Sequence, residues 1–125
     1  MPWITLKDDT RIEAPTDRRL VLALEDSGID ILHLCGGNAS CTTCRVRFIE
    51  GEPEAMTAAE LTRLQMRGLL GTARLSCQIL CDHDMHLEVL QRLSTSDVES
   101  AGDRPAEQIT PEPVWGTRPS IDPQS

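Results

Sequence analysis

Three of the five cysteines in this 125-residue chain, Cys35, Cys41 and Cys44, lie within ten residues of one another. A thiolate is a soft anionic donor, so thiols gathered this closely can hold a borderline metal, hold a metal–sulfide cluster, or exchange disulfides. Between the first two lies Gly36-Gly37-Asn38-Ala39-Ser40. Gly36, Gly37 and Asn38 tolerate positive φ, which lets the backbone turn tightly and aim amide hydrogens inward at gathered negative charge. A fourth thiol must arrive from elsewhere. Cys77, in Arg74-Leu75-Ser76-Cys77-Gln78, is expected at the end of a strand. Cys81 follows four residues later and is the spare, expected as a small apolar residue in a turn.

Three chemistries compete for these residues. Cys41-Thr42-Thr43-Cys44 alone could be a thiol–disulfide pair, but such a motif opens a helix and here a strand pattern follows. Zinc is the stronger rival, because four thiolates suit a tetrahedral ion and Cys77, Cys81, His83 and His86 form a second compact donor group. A bare ion, however, has no need of so glycine-rich a loop. A cluster has.

The flanking patterns describe what must position the thiols. Trp3 to Lys7 alternates with Ile4 and Leu6 on one face, and Arg11-Ile12-Glu13 continues it as a hairpin. Pro15-Thr16-Asp17 is expected to open a helix carrying Leu20, Val21 and Leu24, ended by Gly28. Arg45 to Ile49 alternates as a strand with Arg45 and Arg47 on its exposed face. Thr57-Ala58-Ala59-Glu60 reads as a reciprocal capping box, with Met56 and Leu61 as its staple, and Gly68 stops that helix. Thr72–Ile79 and Met85–Leu90 are expected as two more strands.

Cys35 to Arg47 together with Arg74 to Gln78 resembles the 2Fe–2S ferredoxins of β-grasp fold, over roughly residues 1–92. The resemblance implies an α+β fold, a mixed sheet with a helix packed on it. It implies Cys35, Cys41, Cys44 and Cys77 as the iron ligands of one 2Fe–2S cluster, and His33 in a structural role. Plant-type ferredoxins have four residues between their first two cysteines, whereas this chain has five, so it is closer to the bacterial Cys-x5-Cys-x2-Cys type. The implied function is that of a one-electron carrier without bond chemistry of its own, passing electrons from a flavin-containing reductase to a redox acceptor. The alternatives are a zinc-binding structural module, or a ferredoxin-like subunit docked in a larger redox assembly through its tail.

Composition limits the partners. With Trp3, Phe48 and Trp115 as the only aromatic residues and a net charge of −8, stacking on or attraction to nucleic acid is not expected. No apolar run approaches the roughly 18 residues of a membrane span, and the first residues lack a signal-peptide pattern, so a cytoplasmic location is expected. The acidic balance suits steering toward basic partners, with Glu50, Glu52, Glu54 and Glu60 as candidate docking residues. Residues 1–93 read as the ferredoxin domain. Residues 94–125, acidic and holding five of the eight prolines, read as an irregular tail whose Trp115 could anchor docking.

Overall fold

The computed structural model describes residues 1–119. A hairpin of β1 (Trp3–Leu6) and β2 (Arg11–Glu13) leads to helix α1 (Leu20–Asp26). After the cysteine loop come β3 (Arg45–Glu50), β4 (Ala55–Thr57) and helix α2 (Ala58–Met66). The short β5 (Arg74–Leu75), β6 (Met85–Val89) and a late β7 (Trp115–Thr117) complete the chain. One sheet has the order β2-β1-β6-β3-β5, with β1 and β6 parallel and the other neighbours antiparallel; β4 and β7 form a separate antiparallel pair. This is the expected α+β mixed sheet.

Alternation places Ile4 and Leu6 of β1 beside Leu87 of β6 and Val46 of β3 in the core. Helix α1 buries the whole run Leu20-Val21-Leu22-Ala23-Leu24, so it is a core helix rather than an amphipathic one. Each of its leucines is worth about 1.5–3 kcal/mol of burial. The helix starts at Leu20, later than the Pro15-Thr16-Asp17 opening. The preceding residues are occupied otherwise: Asp17 and Leu20 donate their amides to the Cys81 and Ile79 carbonyls, both at 2.8 Å, and Cys81 donates to Arg18 at 2.8 Å. With its Arg18 carbonyl already accepting from Cys81, this segment stays extended instead of accepting the first bonds of a helical turn.

Two further expectations are corrected. The strand foreseen over Thr72–Ile79 is only Arg74–Leu75, and Ser76–Gln78 forms a 3-10 turn, so Cys77 sits in a turn rather than at a strand end. Half the capping box also fails. The Glu60 amide donates to the Thr57 hydroxyl at 3.1 Å, but the Glu60 carboxylate is taken by Arg74 and by the Leu75 amide at 2.8 Å. Burial beside a guanidinium outcompetes a solvent-side cap.

The acidic tail is irregular over most of its length, yet it lies along the body as a strap. Pro105 and Ile109 are buried, the His33 amide donates to the Ala101 carbonyl at 2.8 Å, and β7 pairs Trp115 with Thr57. Composition predicted a segment too polar to bury itself. What holds it is borrowed: backbone hydrogen bonds and side chains of residues 1–93. Residues 120–125 of the expected tail lie outside the described residues.

Candidate metal centre

Helix α1 ends at Asp26, and Ile31 to Leu34 carries the chain across the core edge into the loop 35–44. The loop turns through positive φ at Gly36 (74°), Gly37 (85°), Ala39 (58°) and Thr42 (64°). Asn38, expected to share this role, instead closes the loop by donating its side-chain amide to the Cys35 carbonyl at 3.1 Å. Ala39 and Thr42 adopt the left-handed conformation despite their Cβ atoms, a cost of about 1 kcal/mol or more each. Arg63 of α2 offsets part of it by donating to the Ala39 carbonyl at 3.0 Å, and Arg45 donates to the Thr42 carbonyl at 3.0 Å. Arg45 therefore braces the loop, while Arg47 pairs with Glu88 at the surface.

The result is two pairs of thiols. Cys35 and Cys41 lie half-buried at the loop's outer side, and Cys44 and Cys77, both buried, form the inner pair. Backbone donors converge on them as the glycine-rich sequence led one to expect. The Thr43 amide donates to the Cys41 sulfur at 3.5 Å and the Cys77 amide to the Cys44 sulfur at 3.4 Å.

These donors set the thiol acidities. Burial raises the Cys35 thiol, but the Ser40 amide, the Cys41 side chain and the Asn38 amide outweigh it and bring it down to about 6. In the inner pair, the hydrogen bond shared with Cys77, together with burial, pushes Cys44 up. The same bond, helped by Gln78 and the Ala39 amide, brings Cys77 down against its burial. Cys81 faces away from this constellation, and burial pushes its thiol up to about 12. It is an inert core residue, as expected.

Several positioning residues carry no motif in the sequence. Arg74 clamps the strand before Cys77: it pairs with Glu60 at 2.8 Å and Glu52 at 3.2 Å, and donates to the Pro53 carbonyl at 2.7 Å. Glu60, proposed from sequence as a docking residue, is fully buried in this pair and cannot meet a partner. Glu52 is half-buried against Arg74, which leaves Glu50 and Glu54 as the exposed members of that set. His33 is buried and faces the Glu25 carboxylate at 2.8 Å, a structural contact. His83 bonds the Gly51 carbonyl at 2.7 Å, and its neighbours do not assemble a second donor group with it. Arg19 reaches the loop from the start of α1. Its one sequence signal is its place, a charged residue directly before five consecutive apolar ones.

Residues 4–82 match the model of the 2Fe-2S iron-sulfur cluster binding domain. The chain belongs to this 2Fe–2S family. Its cofactor is accordingly a 2Fe–2S cluster, and the donor set described above fits one: four soft ligands, inward amides and a dry inner side. Among related sequences is one subunit of the Na(+)-translocating NADH-quinone reductase of Chlamydia felis, 40% identical over 73 residues, which cover 58% of this chain and 17% of that protein. The same subunit from Pseudoalteromonas atlantica is 35% identical over 85 residues, 68% of this chain and 21% of that protein. The chain thus spans about a fifth of the length of the curated relatives it matches. Among solved structures, the ISC-like [2Fe-2S] ferredoxin of Pseudomonas putida superposes with a TM-score of 0.61 at 24% identity, over 73% of this chain and 94% of that one. A ferredoxin of Rhodopseudomonas palustris gives 0.54 at 28% identity, over 72% and 95%. Members of the family are electron-transfer domains, and so is this chain.

Proposed function

We propose that Cys35, Cys41, Cys44 and Cys77 hold the 2Fe–2S cluster, with the outer pair on one iron and the inner pair on the other. The observation that carries this reading is the division of the thiols into a half-buried and a buried pair, each with a backbone amide donating to one of its sulfurs. A structural zinc ion would draw all four sulfurs around a single centre. Among the described residues, no three metal-binding side chains are gathered that closely.

When bound, the cluster accepts and releases one electron. The chain's own residues do the rest. The inner pair and its turn keep water from the buried side, while the half-buried Cys35 and Cys41 put the electron's exit at the protein surface. Loop amides counter the negative charge that each added electron increases. The carrier takes electrons from a flavin-containing reductase and hands them to a redox acceptor, both steered by the overall charge of −8. A second reading is favoured by the relatives' greater length: the chain serves as the iron–sulfur module of a larger redox assembly. No helix of the described residues is long and apolar enough to cross a membrane.

Anaerobic purification followed by iron and sulfide analysis tests the ligand assignment. About two of each per chain are expected, with visible absorption that is lost in the Cys77→Ser variant. One zinc per chain after attempted reconstitution would overturn it. A pull-down with the intact chain then separates a free carrier from an assembly module.

A further inference from the structure

We propose that Arg19 is the positioning residue that locks the cluster loop and is also its internal counter-charge, so that it sets how readily the site takes an electron. The proposal rests on the assignment of Cys35, Cys41, Cys44 and Cys77 as ligands.

The Arg19 side chain is completely buried. All of its hydrogen bonds go to backbone carbonyls. Nε and Nη2 donate to Cys77 at 3.0 and 2.7 Å, and Nη2 also donates to Gly37 at 2.7 Å. Nη1 donates to Ala106 at 2.8 Å and Gln108 at 3.1 Å. The donors of the guanidinium fork are satisfied, but its charge is not. None of the ion pairs among the described residues includes Arg19, although Arg18 beside it pairs with Asp26 and Glu107. A buried cation without an anion is strongly disfavoured, and a protein normally retains one only where a compensating charge is close. Arg19 bonds the carbonyl of Cys77 and, through Nη2, that of Gly37 in the loop between Cys35 and Cys41, so the compensating charge is that of the loaded thiolate site.

Placement makes the charge effective. The carbonyl of Cys77 is separated from its own sulfur by little more than a side chain's length. A unit charge within about 10 Å, at an effective dielectric of about 20, changes an equilibrium by more than tenfold. The strap keeps that dielectric low. Ala106 and Gln108 close over Nη1, and Thr110 donates its hydroxyl to the Asn38 side-chain oxygen at 2.6 Å. Gly37 is where the three parts meet. A Cβ there would lie 2.9 Å from Nη2 of Arg19 and 2.8 Å from Cβ of Pro105, so no other residue leaves room for the lock. A merely structural staple could be built from neutral donors. What the guanidinium adds is charge.

The full-length, cluster-loaded protein and its Arg19→Gln and Arg19→Lys variants are titrated with dithionite in the presence of redox dyes, following visible absorption. Strap release is followed separately by cleavage after the exposed Glu107 with a glutamate-specific protease. Arg19→Gln is expected to disfavour reduction at least tenfold, a potential more negative by about 59 mV for one electron. Arg19→Lys keeps the charge and should stay within about threefold of the parent, by the same Coulomb argument. Both variants should lose the strap faster, because neither has the planar fork. An Arg19→Gln protein with parental iron content, spectrum and potential overturns the proposal while leaving the ligand assignment intact. If Arg19→Gln does not load iron, Arg19→Lys decides: a parental potential with faster cleavage supports the proposal, and a tenfold shift overturns it. Failure of both to load would make Arg19 a folding residue only, which also overturns it. A parent chain without iron and sulfide would sink the ligand assignment first, and this inference with it.

Discussion

The outer and inner thiol pairs are built from the same residue type in opposite surroundings. Cys35 and Cys41 sit on a loop held open to one side by left-handed residues and backbone donors. Cys44 and Cys77 sit on β-sheet flanks, where Ser76 donates its hydroxyl to the Cys44 carbonyl at 2.8 Å and fixes the two segments together. The first arrangement makes an acidic, reachable thiol. The second makes a buried pair joined by the Cys77 amide, which donates to the Cys44 sulfur at 3.4 Å. An electron carrier needs both: an inner side that excludes water and an outer side that a partner can approach.

The largest effect that would break the comparison is loss of the ligands themselves. Cys35→Ser, Cys41→Ser, Cys44→Ser and Cys77→Ser should each lose most of their iron, while Cys81→Ser keeps it, as read by iron per chain. Retention of iron by Cys77→Ser combined with its loss in Cys81→Ser would exchange the two assignments. Next is the clamp behind the inner pair. Arg74→Met leaves Glu60 buried without its partner and should cost about 3–5 kcal/mol in denaturant unfolding of the apo chain. A loss under about 1 kcal/mol would mean the Arg74–Glu60 pair behaves like a solvent-screened surface pair.

The outer thiol Cys35 and the buried spare Cys81 offer a sharper contrast in the apo chain. Iodoacetamide should modify Cys35 more than tenfold faster than Cys81 at neutral pH, since a thiol at about 6 is mostly thiolate there and one at about 12 is not. The Cys35 rate should level off as the pH rises above that value, and peptide mapping at several pH values checks it. The smallest effect concerns the approach of a partner to the outer side. Reversing the charge of exposed Glu50 and Glu54 should slow reduction by a basic flavin reductase severalfold at low salt, with an unchanged spectrum. The difference should fade as the Debye length falls from about 10 Å at 0.1 M salt to about 3 Å at 1 M. Salt-independent rates would place docking on apolar contacts instead.

Much of this was legible from one-dimensional pattern. Alternation in Trp3–Leu6, Arg45–Glu50 and Met85–Val89 announced strands, because a pleated strand half-buried in a sheet must show period two. The spacing of Cys35, Cys41 and Cys44 around Gly36 and Gly37 announced the loop, because tight turns and converging donors are local properties of the chain. The family followed from the same residues. What tertiary structure alone decided involves partners distant in sequence. Glu60 reads as a surface acid in a capping box until Arg74 arrives beside it. Residues 94–119 read as a solvated tail until their carbonyls are found to complete the bonding of Arg19. Arg19 itself has no motif. Composition can count an arginine and place it before an apolar run, but whether its charge faces water, a carboxylate or the space around four sulfurs depends on which segments fold against it.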